Sequence, residues 1–282
     1  MQDGLIVDII AVMGTLAVSG LNWRMFMGVL DGTTAIVTGA NRGIGLGIAR
    51  AFAREGARLV LAARDAVLLD SVAEGLRDSG SEVEAIPTDV TVEGDADELI
   101  DRTVDRFGHL DLLVNNAGTG NRAPMTDMDL DTWQTTIATN LTGAFLCSRA
   151  ALRVMRQAQR GRIINVASIS SQRVRPESAA YSASKFGLWG LTQVIALEGR
   201  EYGVSCSCLN PGNTLVDNDV LTARQDASGQ YFGRAGLDGI EEPLMTVDEL
   251  ATVAVTMAAM PDHVNMLEAT VLPVGQPYVG RG

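Results

Sequence analysis

Tyr181 and Lys185 stand four residues apart in Tyr181-Ser182-Ala183-Ser184-Lys185, and Ser168 lies thirteen residues before the tyrosine. A free tyrosine, with a pKa of about 10, is a poor acid or base at neutral pH. A four-residue spacing on a helix puts both side chains on one face, one turn apart. At roughly 4 Å and an effective dielectric near 20, the ammonium favours the phenolate by about 4 kcal/mol, some three pKa units before desolvation. A change of that size makes tyrosine useful near neutral pH. The spacing predicts a proton-transfer device.

The elements that must hold it are legible nearby. The apolar run Ala35-Ile36-Val37 leads into Thr38-Gly39-Ala40-Asn41-Arg42-Gly43-Ile44-Gly45, followed by helix-like sequence from Leu46 to Arg54. A strand, a glycine-rich turn and a helix start in that order make a site for a dinucleotide pyrophosphate. The backbone approaches closely at the glycines, and the helix N-terminus offers free N–H groups. Asn115-Asn116-Ala117-Gly118 follows the apolar Leu110 to Val114, and Asn140 and Pro211-Gly212 come later.

The remaining pattern alternates. Strands are expected over Thr34–Thr38, Arg58–Ala63, Val83–Ile86, Leu110–Val114, Ile163–Val166, Val204–Leu209 and Leu267–Leu272. Helices are expected over Gly43–Glu55, Ala66–Asp78, Glu93–Phe107, from Asp129 through Asn140 toward Gln157, Ala179–Glu201 and Thr246–Met260. Such alternation predicts an α/β fold with a doubly wound, seven-stranded parallel sheet in a single domain. The stretch 213–245 turns polar and glycine-rich and is expected to form a substrate lid.

With these motifs in this order, the chain resembles the short-chain dehydrogenase/reductase family, from about residue 31 to the C-terminus. The resemblance implies an NADP(H)-dependent oxidoreductase, an enzyme that moves hydride between a nicotinamide and a ketone or secondary alcohol. Tyr181 would be the general acid/base, Ser168 would hold the substrate oxygen, and Lys185 would lower the tyrosine pKa and bind the ribose. Asn140 would anchor a water. The family serine lies three residues after an asparagine, here Asn165, which selects Ser168 over Ser170 and Ser171. Cofactor contacts would come from Gly39, Asn41, Arg42, Gly43, Ile44, Gly45, Arg64, Asp89, Val90, Asn116, Ala117, Gly118, Tyr181, Lys185, Pro211, Gly212 and Thr214. The usual family threonine beyond Pro211-Gly212 is replaced by Val216.

Cofactor choice rests on the end of the second strand. An acid about 20 positions past the glycines would accept from the NAD ribose, and Asp65 falls in that range. The family's selecting position is Ala63, however, and Arg64 and Arg42 there suit a 2′-phosphate; NADP(H) is preferred and NAD(H) remains open. A 3-oxoacyl-thioester reductase and a non-catalytic NADP-binding relative are the alternative readings. The substrate pocket would draw on Thr119, Gly120, Asn121, Ile169, Gln172, Leu215, Val220, Tyr231 and Phe232.

Composition sets the outer bounds. In 282 residues with 46% hydrophobic, one large core is expected, and a net charge of −12 argues against a nucleic-acid partner. Cys147, Cys206 and Cys208 read as buried apolar side chains in a reducing, cytoplasmic setting, and no metal site is expected. Residues 1–30 read as an apolar extension outside the core fold. Asp8, Gly14, Ser19, Gly20, Asn22 and Arg24 interrupt it, so membrane anchoring is disfavoured. The partner is expected to be a small carbonyl or alcohol, and the family implies a homotetramer, with a dimer as the alternative.

Overall fold

The computed structural model describes residues 28–216, 223–234 and 241–278. Strands β1 (Thr34–Thr38), β2 (Arg58–Ala63), β3 (Val83–Pro87), β4 (Leu112–Asn115), β5 (Gly161–Val166), β6 (Val204–Pro211) and β11 (Glu268–Val271) form one sheet. Their order is β11-β6-β5-β4-β1-β2-β3, and every pairing is parallel. Helices α1 (Gly43–Arg54), α2 (Ala66–Asp78) and α7 (Val247–Ala258) contribute to the core on one face. Helices α3 (Glu93–Phe107), α5 (Gly143–Ala158) and α6 (Ala179–Gly199) contribute to the core on the other. This is the expected doubly wound α/β sheet.

The strands are buried on both faces, so alternate residues feed alternate cores. Ala35 and Val37 enter the first core and Ile36 the second; Leu59 and Leu61 enter the first, Val60 and Ala62 the second. The three cysteines are buried free thiols. Burial pushes Cys147 and Cys208 up to about 12 and raises Cys206 as well, so they act as packing groups. Strand order reverses between β1 and β4, and a crevice opens outside their carboxyl ends.

Four differences from the sequence expectation bear on the site. The helix expected from Asp129 to Gln157 is interrupted: α4 (Leu130–Ile137) passes into a π-helical segment, Ala138–Thr142, before α5 begins. A π turn holds one additional residue, a shift of one position that two short helices do not make legible in the sequence. Strand β4 begins at Leu112 rather than Leu110. Asp111 stands at its entrance, its N–H donating to the Thr34 carbonyl at 3.0 Å and its carboxylate accepting from the Thr34 N–H at 2.9 Å.

The segment expected as a lid contains a second, small sheet. Strands β7 (Thr214–Leu215), β8 (Arg224–Gln225), β9 (Tyr231–Arg234) and β10 (Glu241–Thr246) lie in the order β7-β10-β9-β8. Strands β7 and β8, of two residues each, are too short to carry a periodic signal. The core also starts before residue 31. Leu30 is 2% exposed and belongs to the first core, and its N–H donates to the Glu55 carbonyl at 3.0 Å. Residues 1–27 of the apolar extension, and the pocket candidate Val220, fall outside the described residues. Among the described residues no helix is long and apolar enough to cross a membrane.

Candidate active site

A cleft of about 1340 Å³ runs along the carboxyl ends of the strands. One end is the glycine-rich turn between β1 and α1. Gly39 has φ +64°, in the left-handed region that favours glycine, and Asn41, Arg42, Gly43 and Ile44 follow it along the cleft wall. Gly45 does not line the cleft. A Cβ there would stand 2.3 Å from the Gly39 carbonyl oxygen and 2.4 Å from Asn116 Nδ2, so this glycine permits the close packing of turn on strand end. Asn116 completes the clamp, donating through Nδ2 to the carbonyls of Thr38 (2.9 Å) and Gly39 (3.2 Å). Ala117 and Gly118 continue along the cleft from there. The turn has the shape that a pyrophosphate needs.

Ala62, Ala63, Arg64, Asp65, Thr88, Asp89 and Val90 line the same end of the cleft, beyond β2 and β3. The Asp65 carboxylate is occupied within its own helix, where Oδ1 accepts from the Leu68 N–H at 3.1 Å and caps α2. The Asp89 carboxylate binds the Thr91 N–H at 3.0 Å and hydroxyl at 2.7 Å. Burial works to raise its pKa, but those bonds and the charge of Arg64 outweigh it and hold the group below its ordinary value. Both acids are therefore engaged within the protein. Arg42, Ala63 and Arg64 line this end together.

Toward the other end, β5 delivers Ser168 and α6 delivers Tyr181 and Lys185 to one place, as the spacing demanded. Ser168 hydrogen-bonds Tyr181, and its Oγ also accepts from the Ser170 N–H at 3.1 Å. Ser170 lines the cleft too. Ser171 does not: its Oγ is buried 2.7 Å from the Ser168 carbonyl oxygen and 2.8 Å from Asn210 Oδ1, fixing the Ser168 turn from behind.

Lys185 departs from the expected arrangement. Its Nζ is buried, donates to the Val166 carbonyl at 2.9 Å, and lies 5.6 Å from the Tyr181 ring centroid. Burial lowers it to about 8, the nearby Cys208 acting in the opposite sense. The phenol of Tyr181 is raised, not lowered. The enclosing cleft desolvates it, and the Ser168 hydrogen bond and the charge of Arg122 only partly offset that. Helical spacing located the lysine on the face that meets the cleft, and one of its three N–H donors goes to a main-chain carbonyl.

Asn140 is buried in the π segment and is not part of the cleft wall. Its Nδ2 donates to the Thr119 carbonyl (2.9 Å) and to Ser184 Oγ (3.0 Å), and its Oδ1 accepts from the Thr119 N–H (2.8 Å). The side chain is fully used in tying the loop after β4 to α6. Thr119, Gly120, Asn121 and Ile169 line the substrate end as expected; Gln172, Leu215, Tyr231 and Phe232 do not. Pro211, Gly212, Thr214 and Val216 do line the cleft, and the Thr214 hydroxyl donates to the Gly212 carbonyl at 3.1 Å. Arg122, Ser178, Gly233, Glu241 and Leu244 also line it. Sequence reasoning missed Arg122, whose only mark was its place four residues beyond Gly118.

Comparison with known proteins agrees with this geometry. The short chain dehydrogenase family model matches residues 33–226. An uncharacterized oxidoreductase of Staphylococcus aureus (strain USA300) is 36% identical over 248 residues, covering 88% of this chain and 100% of the relative. A 3-oxoacyl-[acyl-carrier-protein] reductase of Synechocystis sp. is 38% identical over 229 residues, 80% of this chain and 92% of its own length. The crystal structure of a metagenomic short-chain oxidoreductase in complex with NADP superposes with a TM-score of 0.72 at 32% identity, covering 86% of this chain and 98% of that one.

Proposed function

Because the chain belongs to the short-chain dehydrogenase family and is an oxidoreductase acting on CH–OH or C=O groups, we propose that it is an NADP(H)-dependent carbonyl reductase or alcohol dehydrogenase with Tyr181 as general acid/base. The observation that carries this reading is the meeting of Ser168, Tyr181 and Lys185 in the same cleft as the glycine-rich turn. A bound nicotinamide supplies or takes up the hydride. The chain's own groups do the rest. Ser168 holds the substrate oxygen, and the raised phenol of Tyr181 is protonated at neutral pH, ready to donate to a developing alkoxide. Lys185 secures the ribose beside Tyr181, and Asn140 positions the Thr119 loop, leaving any bound water to be held by main-chain groups. Oxidation of the reduced cofactor, followed by its absorbance across a panel of ketones and aldehydes, tests the reading. Cofactor binding without turnover of any carbonyl would overturn it.

The glycine-rich turn, Asn116, Ala117, Gly118, Pro211, Gly212 and Thr214 would hold the cofactor. Preference for the 2′-phosphate is supported by Ala63, by the adjacent arginines and by the engagement of Asp65 as a helix cap. Ala63→Asp is expected to turn relative efficiency toward NAD(H) by about 10- to 100-fold, the effect of one charged contact. Steady-state kinetics with both cofactors check this, and a wild type that already prefers NAD(H) would show Arg42 and Arg64 to be misassigned.

A 3-oxoacyl-thioester reductase is the second reading, supported by the Synechocystis relative. Assembly as a homotetramer, with a dimer as the alternative, is supported by the exposed apolar side chains Phe145 on α5 and Phe186, Val194 and Leu197 on α6. Light scattering at micromolar concentration is expected to give a tetramer, and a stable monomer would refute it. The three free thiols are consistent with a cytoplasmic setting.

A further inference from the structure

The substrate end of the cleft carries, on its exposed rim, a cation that none of the proposed chemistry uses. Arg42 and Arg64 belong to the opposite end, and Arg175 forms an ion pair with the buried Glu242 at 3.4 Å. Glu241, the acid on this wall, pairs with Arg224 at 3.1 Å. Arg122 has neither an ion-pair nor a hydrogen-bond partner among the described residues, and it lines the cleft beside Ser178 and Tyr181.

Its main chain is tied on both sides, and its side chain is exposed at the cleft. Two residues before it, Gly120 lies against the catalytic ring: a Cβ added there would stand 3.6 Å from Tyr181 Cδ2 and 3.7 Å from Cε2. Immediately after it, the Ala123 N–H donates to the Glu177 carbonyl at 3.1 Å, which ties the loop to the approach of α6. One residue further back, Thr119 is held by both ends of the Asn140 amide. A loop pinned at three points carries an uncommitted guanidinium at the mouth of the proton-transfer site, near enough for its charge to act on the Tyr181 phenol. In a chain of net charge −12, a cation kept there favours an anion.

We propose that Arg122 reads a carboxylate on the substrate, making this enzyme selective for a small oxo acid, or the matching hydroxy acid, over neutral carbonyl compounds. The inference rests on the oxidoreductase reading above. Guanidinium binds carboxylate through paired, charge-assisted hydrogen bonds. An anchor beside Tyr181 sets the carbonyl at a fixed reach from the acid group, so short-chain oxo acids suit it better than long ones. A thioester, whose acyl end carries no free carboxylate, lacks the recognised group.

The test compares short oxo carboxylates with their methyl esters, using NADPH and the full chain. Wild type is expected to prefer the acids, and Arg122→Ala to lose about 10- to 100-fold in kcat/KM on the acids alone, mostly through KM. Arg122→Lys should recover part of the loss, while NADPH titration by fluorescence stays unchanged in both variants. Calorimetry of the NADP-loaded protein with saturated carboxylates of the same length supplies a readout without turnover. Binding to wild type and not to Arg122→Ala supports the inference even if no carbonyl is reduced, in which case the oxidoreductase reading alone fails. Equal turnover of acids and esters, an acid preference that survives in Arg122→Ala, a preference for 3-oxoacyl thioesters, or no carboxylate binding would each overturn it.

Discussion

Tyr181→Phe should bind NADPH nearly as tightly as the wild type and turn over at least about 10²- to 10⁴-fold more slowly, the usual loss for a general acid–base group. The substitution removes only the hydroxyl. The ring keeps its contact with the Gly120 backbone, and the glycine-rich turn is untouched. What disappears is the proton donor and its bond to Ser168. Because the phenol is raised, wild-type reduction should hold through neutral pH and decline only in the alkaline range, where the donor ionises. Oxidation of the alcohol, which needs the phenolate, should rise over that same range. Fluorescence titration of NADPH beside steady-state rates separates the two effects. Near-normal turnover by the variant would make Tyr181 a bystander.

Lys185→Met should reveal a conflict between stability and function. Burial takes the lysine from 10.5 to about 8. The unfolded chain therefore holds a proton, between those two values, that the folded chain has released, and stability rises with pH across that window. Below it the folded protein carries the whole cost of burying an ammonium. Two to three pH units at about 1.4 kcal/mol each come to on the order of 3 kcal/mol. The hydrogen bond to the Val166 carbonyl, lost in the variant, returns about 1 kcal/mol of that. Methionine is accordingly expected to stabilise the protein by roughly 1–2 kcal/mol at pH 7, with the gain fading as pH rises from about 8 through 10.5. Turnover should fall at least about 100-fold, and cofactor binding should weaken. Denaturant unfolding at two pH values provides the check, and a variant less stable than wild type at pH 7 would contradict this expectation.

The main sheet was legible because its strands are covered on both faces. Ala35-Ile36-Val37 and Arg58–Ala63 read as apolar runs closed by glycine or charge, and the parallel sheet buries both of their faces. The site was legible for a related reason. Gly39, Gly45, Tyr181 and Lys185 are constrained by local geometry, a tight turn or one helical face, and local geometry is what spacing reports. Contacts decided at long range were not. That Asn140 would spend its amide on Thr119, Asp65 its carboxylate on Leu68 and Lys185 its ammonium on Val166 depends on where main-chain groups lie unsatisfied. The small sheet of β7 to β10 was hidden because β7 and β8 have two residues each and β9 four, too few to carry a period, and Pro243 interrupts β10. Arg122 was hidden because a loop arginine looks the same whether it faces solvent or a substrate.

The five residues Ala138–Thr142 also determine which changes of chain length the protein can survive. Removing one residue from α5 would turn everything beyond it by about 100°, carrying Leu146, Cys147 and Met155 off the core. Removing one from the π-helical segment would simply close it into ordinary α-helix, leaving α4 and α5 in place. The fold would persist, while Asn140 would swing away and release Thr119. A single codon lost there is expected to leave a folded protein in which the Thr119 loop is no longer held, so this stretch tolerates a change of length in folding but not in the placement of the cleft wall.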